Sequence, residues 1–178
     1  MQVDTFVESK MVSSPWEEIV IPGVGATSIR MLRGKFPKMG ILETQDSSVL
    51  CPVKIVPKGL STCSVGSVDG ERYGTKLELE MKRCGRMAGV AGYQHARWLL
   101  QSRPQALLEL LRDGFCLEFP GTVITVPKVA RGKVIGQQRL IPLMPRIHGG
   151  SGLQMTWGSL GAGDLDPRTR VAFAVPPV

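Results

Sequence analysis

Metal binding and nucleophilic catalysis draw first on cysteine and histidine, and this chain of 178 residues holds few: Cys51, Cys63, Cys84, Cys116, His95 and His148. A zinc site normally takes closely spaced ligand pairs that one rigid turn presents together. No Cys-x-x-Cys occurs, so the cysteines read as ordinary half-buried thiols. Cys84 or Cys116 with His95 would make a nucleophile and its base if the fold joined them, and Lys82 and Arg83 would favour a thiolate at position 84. Their spacing does not require that contact. Glu17 and Glu18 are adjacent and point to opposite faces of a strand, while Asp164 and Asp166 share a face only in extended chain. Gly23-Val24-Gly25 and Gly161-Ala162-Gly163 lack both a third glycine and the Lys-Ser/Thr of a phosphate cradle, and read as turns. No nucleophile elbow is present. The expectation is a non-enzymatic protein without catalytic residue, metal site or cofactor.

The chemistry that remains is electrostatic. The formal net charge is +7. Between Glu118 and Asp164 there is no carboxylate, while Lys128, Arg131, Lys133, Arg139 and Arg146 fall inside that window. Lys82, Arg83 and Arg86 form a second cluster. An unbroken positive segment attracts phosphate, whether of nucleic acid or of lipid headgroups, so these eight residues are the candidate anion-binding set. The plain alternative is a solvated basic face without a dedicated partner. Aromatic residues make up only 6% of the chain, and Trp16, Trp98 and Trp157 are isolated, which suits core positions better than a platform for stacking bases.

A hydrophobic content of 43% is that of a folded domain, and the length suits one. Residues 1–14 read as a loosely held arm and 15–178 as a single compact domain. No apolar run reaches membrane-spanning length, and the start has neither a signal-peptide pattern nor a myristoylation glycine. A soluble, intracellular chain is expected.

Strand signals dominate. Residues 15–23 offer a short strand with Ile19, Val20 and Ile21 as core candidates, and 47–59 look extended. Pro52 and Pro57 cannot donate to a ladder, which points to an edge strand or bulge there, and with the N-terminal arm to a docking surface for another copy. Thr75 to Cys84 alternates, with Leu77, Leu79 and Met81 on one face. Two helices follow, at about 86–101 and 103–113. Gly89 and Gly92 weaken the start of the first, while Ser102 and Gln105 match a capping box for the second. Ala106, Leu107, Leu110 and Leu111 make its apolar stripe, and Gly114 its stop. Hairpins are expected at Pro120-Gly121 and across Arg131-Gly132-Lys133, a loop at 147–152, and strands in "LQMTWGSL" and "RVAFAVP". The fold class is α+β: a twisted, mostly antiparallel sheet packed against a central helix pair.

The stretch "KLELEMKRCGRMAGVAGYQHARWLLQSRPQALLELLRDG", residues 75–114, resembles the middle of rhabdovirus matrix proteins of the short, plant-infecting type. Leu77, Leu79 and Met81 would be the strand, Ala88 to Trp98 the first helix, and Arg103-Pro104 the junction. The resemblance implies a viral structural protein that self-associates and binds anionic membrane and nucleocapsid through basic surface, located in the virion or at membranes of the host cytoplasm. The Pro-rich budding motif ending in Tyr that animal-virus members carry near the N-terminus does not occur there, "AVPPV" at the C-terminus has the prolines without the tyrosine, and there is no dense N-terminal lysine cluster. Two other readings suit the same charge. One is a small basic RNA-binding protein, such as a plant-virus silencing suppressor or movement accessory; the other is a different virion or phage structural subunit.

Overall fold

A computed structural model describes residues 19–48, 53–59, 89–159 and 169–175. Its elements in chain order are β1 (Val20–Ile21), α1 (Ile29–Lys35), a 3-10 turn (Pro37–Met39), β2 (Glu43–Asp46), β3 (Val53–Gly59), β4 (Gly89–Val90), α2 (Tyr93–Ser102), α3 (Gln105–Arg112), β5 (Cys116–Glu118), β6 (Thr122–Ala130), β7 (Lys133–Met144), β8 (Thr156–Ser159) and β9 (Thr169–Val175). All the strands join one sheet, whose main path runs β1-β3-β9-β5-β7-β6-β2. Among the described residues every pairing is antiparallel except β5 with β9. With three helices against it, the architecture is the expected α+β.

β7 is the spine. Glu118 lies opposite Leu143 and Leu117 opposite Met144, while β6 pairs with the same strand from Ile124–Leu140 outward. β5 and β6 are therefore two parts of one line running antiparallel to β7. The expected hairpin at Pro120-Gly121 is not there. A turn does form, with Thr122 N donating to Phe119 O at 3.5 Å, but Phe119 N still donates to Pro142 O at 3.0 Å. The Pro-Gly pair bulges the strand instead of reversing it, because β7 offers ladder partners on both sides of the interruption. Gly121 N then donates to Ala91 O at 2.9 Å, and Gly121 O accepts from Ser47 N at 2.7 Å.

Two apolar clusters lie between sheet and helices. The first joins Leu99 of α2 and Leu107 and Leu111 of α3 to Ile19, Ile21, Leu117, Phe119 and Met144, with Trp98, Ala106 and Leu110 packed against it. The stripe read from sequence thus faces the core. Val20 does not: alternation turns it outward, and it is 52% exposed. The second cluster joins Leu32 of α1 to Ile41, Tyr93, Ile124 and Val126. Phe36, Tyr93 and Trp157 meet there, with Phe36 edge-on to both others and Tyr93 stacked on Trp157 at a centroid distance of 6.0 Å.

Helix boundaries depart from the sequence reading. The first long helix starts at Tyr93, not at 86, and Gly89–Val90 form β4 against Ala174 and Phe173. Gly92 is its N-cap in extended conformation (φ −121°, ψ −162°), and a Cβ there would lie 2.4 Å from Thr122 Oγ1. The Ser102–Gln105 capping box does not form. Ser102 is the last residue of α2, Arg103 takes a left-handed conformation (φ 48°), and Pro104 caps α3 without a side-chain bond. Gln105 instead donates to Glu109 Oε1 at 3.0 Å. Gly114 (φ 91°) follows the helix end as expected. Helix α1 had no counterpart in the sequence reading, although Ser28 caps it by accepting from Met31 N at 3.2 Å. Pro57 pairs with Ala172, and β1 covers only Val53 and Lys54, so the rest of β3 has a partner on one side among the described residues. The alternating strand of 75–84, the arm of 1–14, and Trp16 lie outside the described residues.

One polar cluster fixes α2 to the sheet. Thr122 Oγ1 accepts from Tyr93 N (2.8 Å) and donates to Asp46 Oδ1 (2.9 Å). Ser48 Oγ also donates to Asp46 Oδ1 (2.6 Å), and Thr27 N donates to Oδ2. Gly92 N donates to His95 Nδ1 at 3.1 Å, which leaves the ring proton on Nε2. Replacing Asp46 by Ala strips three donors of their acceptor, and the expected loss is about 1–3 kcal/mol. Gly92→Ala is expected to cost about 1–3 kcal/mol by overpacking alone, since its backbone angles suit alanine. Urea unfolding midpoints equal to wild type for either variant would refute this account. Burial raises the Tyr93 phenol above its ordinary 10.0, with the Arg97 guanidinium acting the other way. The folded state then holds that proton more tightly than the unfolded chain. Its contribution is constant below pH ~10 and is lost as pH rises beyond it. Unfolding across that range should show a fall that Tyr93→Phe diminishes.

Candidate functional site

Beyond Thr125 and Leu140, β6 and β7 have no other strand neighbours among the described residues. β2 ends its pairing at Glu43–Thr125, extended by Leu42 N donating to Thr125 O at 2.8 Å, and β8 ends at Ser159–Leu140. From Val126 to Ala130 and from Lys133 to Gln138 the two strands pair only with each other among the described residues. Five residues of strand carry this ribbon about 16 Å past the sheet. Its turn, Arg131-Gly132, has positive φ at both positions (50° and 74°), the type I′ geometry that matches strand twist. The hairpin expected across Arg131-Gly132-Lys133 is therefore present. Lys128 faces Gly136 while Val129 faces Val134, so Ile135 is an extra residue on β7, a bulge that adds twist to the arm.

The ribbon presents part of the candidate anion-binding set. Residues 128–137 are all exposed. Lys128, Arg131 and Lys133 lie together at the end, where their ladder partners are Gly136 for Lys128 and Ala130 for Lys133. No carboxylate stands opposite them. Arg139 is also exposed, but it lies six residues from Lys133, about 20 Å along the strand, opposite Thr125, and donates to Gln45 Oε1 at 3.2 Å. Arg146 is exposed beyond the far end of β7, about 40 Å from Lys133 by the same measure. The window that is continuous in sequence is thus drawn out along a strand, and only three of its five cations share one end. Lys82, Arg83 and Arg86 lie outside the described residues.

Further cations sit at the base of the arm. Residues 19–42 also contain no carboxylate, and carry Arg30, Arg33, Lys35 and Lys38. Like 119–163, this is a carboxylate-free window that can be counted in the sequence. Arg33 is structural, its guanidinium donating to Ile41 O (2.8 Å) and Leu42 O (3.5 Å). Arg30, Lys35 and Lys38 are exposed on the segment that covers Ile124 and Val126, and Gly40 at its end lies against Pro127, the side-chain ring being 3.6 Å from where a Cβ would be. Positive charge therefore borders the ribbon as well as its tip.

His95 is fully buried at the start of α2 and serves the helix end. His148 is exposed in the 147–152 loop, where its N–H donates to Ser151 Oγ at 2.9 Å. Cys116 is a half-buried free thiol in β5, and the other cysteines lie outside the described residues. Among the described residues no group of His, Cys, Asp or Glu is arranged to hold a metal ion, and no helix is long and apolar enough to cross a membrane. Comparison with protein-family models, with curated proteins and with solved structures finds no match for this chain.

Arg131 holds a left-handed conformation that asparagine adopts at lower cost. Arg131→Asn is expected to leave stability equal or raise it by up to about 1 kcal/mol, while removing one tip cation. A thermal midpoint clearly below wild type would show that the arginine side chain holds the turn.

Proposed function

We propose that the protein is a non-enzymatic viral structural protein of matrix type, which binds anionic membrane and nucleocapsid through basic surface and self-associates. The observation that carries the reading is the ribbon itself. Lys128, Arg131 and Lys133 stand exposed at the end of a projecting two-stranded arm, inside a stretch of 45 residues without a carboxylate (119–163). A projecting cationic end can reach a flat surface of phosphates while the body of the sheet stays clear of it. The bordering cations of α1 and the following turn add to the same field. Self-association has a physical route in the arm's strand edges, which have no further strand partner among the described residues and whose backbone groups can pair with another chain.

Each cation near an anionic surface contributes on the order of 1 kcal/mol. Lys128→Gln, Arg131→Gln and Lys133→Gln together are therefore expected to weaken binding to phosphatidylserine vesicles by roughly a hundredfold. Co-sedimentation at physiological salt measures this, with phosphatidylcholine vesicles as the neutral control and double-stranded RNA as competitor. Light scattering on the pellet follows assembly. Binding that is equal for the variant and wild type would sink the reading. Protein that leaves the vesicles for the RNA would favour the RNA-binding alternative.

A further inference from the structure

The tip of the arm carries aliphatic side chains as well as charge. Val129, Val134 and Ile135 are 59%, 69% and 59% exposed, three of the five large apolar side chains most exposed among the described residues. Neither apolar cluster of the fold includes them. Ladder parity sorts the ribbon into two faces. Lys128 with Gly136, and Ala130 with Lys133, continue the face of Ile124 and Val126; Val129 and Val134 are directly opposite each other on the reverse face. Ile135 is the bulged residue beside them, and Arg131 caps the end in the turn. Cations and aliphatics thus occupy the same few residues, 128–135, on opposite sides of one thin ribbon.

We infer that this tip inserts into the interface of an anionic bilayer, with Val129, Val134 and Ile135 entering the hydrocarbon boundary and Lys128, Arg131 and Lys133 engaging lipid phosphates around it. The inference rests on the membrane-binding reading above and assigns its point of entry. A lipid surface offers both chemistries at this spacing. It has phosphates in a plane with hydrocarbon directly beneath, and long Lys and Arg stems can lie along the apolar layer while their charges stay at the headgroups. A nucleic-acid duplex presents phosphates without an aliphatic phase next to them. A second copy's tip carries the same three positive charges and repels this one. Strand propensity explains β-branched residues in a ribbon, but exposed threonine would serve that end equally.

The test separates the aliphatic contribution from the cationic one. Val129→Ser, Val134→Ser and Ile135→Ser together leave the net charge unchanged. On phosphatidylserine vesicles this variant is expected to bind at least about tenfold more weakly than wild type, since each aliphatic side chain withdrawn from water adds up to an order of magnitude. At ~1 M salt, where screening suppresses the charge term, wild type should keep residual binding and the variant none. Its affinity for double-stranded RNA and its thermal midpoint should be unchanged. In parallel, Val134→Trp on vesicles whose acyl chains are brominated should show quenching beyond that of the native tryptophans.

Wild-type vesicle affinity in the serine variant, or a Val134→Trp that is not quenched, would overturn insertion and leave the charge-based reading standing. Equal loss of vesicle and RNA binding with an unchanged midpoint would also overturn it, placing the aliphatics in a general polyanion site. If the Lys128, Arg131 and Lys133 glutamine variant binds vesicles like wild type, the reading on which the inference rests fails first.

Discussion

The Thr122 hydroxyl is the point on which the described structure hangs. It lies just past the bulge in the β5–β6 line, accepts from Tyr93 N and donates to Asp46 Oδ1. One buried side chain thereby ties the edge strand β2, the interior strand β6 and the start of α2. Without it, Tyr93 N would be an orphan donor at a helix end with no water to receive it. The Asp46 carboxylate, reached through that hydroxyl, also sits where the positive end of the helix dipole favours an anion. The approach is close enough that only glycine fits at position 92 without something shifting.

Consequences reach the arm by packing. Fixing the first turn of α2 places the Tyr93 ring against both Phe36, which follows α1, and Trp157 of β8, which also touch each other. These two elements flank the place where β6 and β7 leave the sheet: α1 covers Ile124 and Val126, and β8 pairs with β7 up to Leu140. A two-stranded ribbon has little stability of its own in water. Its root is therefore held by the aromatic cluster, and its end by a two-residue turn and a bulge. Between them the ribbon has no buried core, which puts it at the low end of the local stability scale, where binding elements are commonly found.

Sequence made some of this legible because local chemistry and tertiary context agreed. The apolar spacing of Leu107 and Leu111, Gly114 after α3, and Arg131-Gly132 between two valine-rich runs each specify one local structure, and the sheet accepts it. Pro120-Gly121 is the opposite case. Its turn chemistry is real, but chain reversal depends on where ladder partners lie, and β7 runs past both sides of it. Ser102 and Gln105 have capping-box spacing, yet the chain needs a left-handed residue at Arg103 to separate two helices, so Ser102 is used up as the end of α2. Gly92 makes the close approach to another element that the small residues before Tyr93 suggest, against Thr122, but the helix starts later than its glycines imply because Gly89 and Val90 join the sheet and Gly92 is the extended cap. The candidate site was half legible: cations can be counted in sequence, but whether they converge depends on whether the segment coils or extends.

That last point governs what the charge can do. Had residues 128–146 formed a helix, the five cations would lie within about 27 Å, at 1.5 Å of rise per residue. As strand and turn they are strung over a longer path, and Arg139 and Arg146 act as a diffuse field while Lys128, Arg131 and Lys133 act together at one end. Diffuse charge steers a molecule toward a surface of opposite sign, whereas contact chemistry fixes how it sits there. Val129, Val134 and Ile135 are confined to the end with the tight cation group, so the features that act at long range and those that act only on contact are separated along a single strand pair. Orientation follows from that separation: the whole basic window favours approach, while the turn end of the ribbon adds aliphatic surface to what it presents on contact.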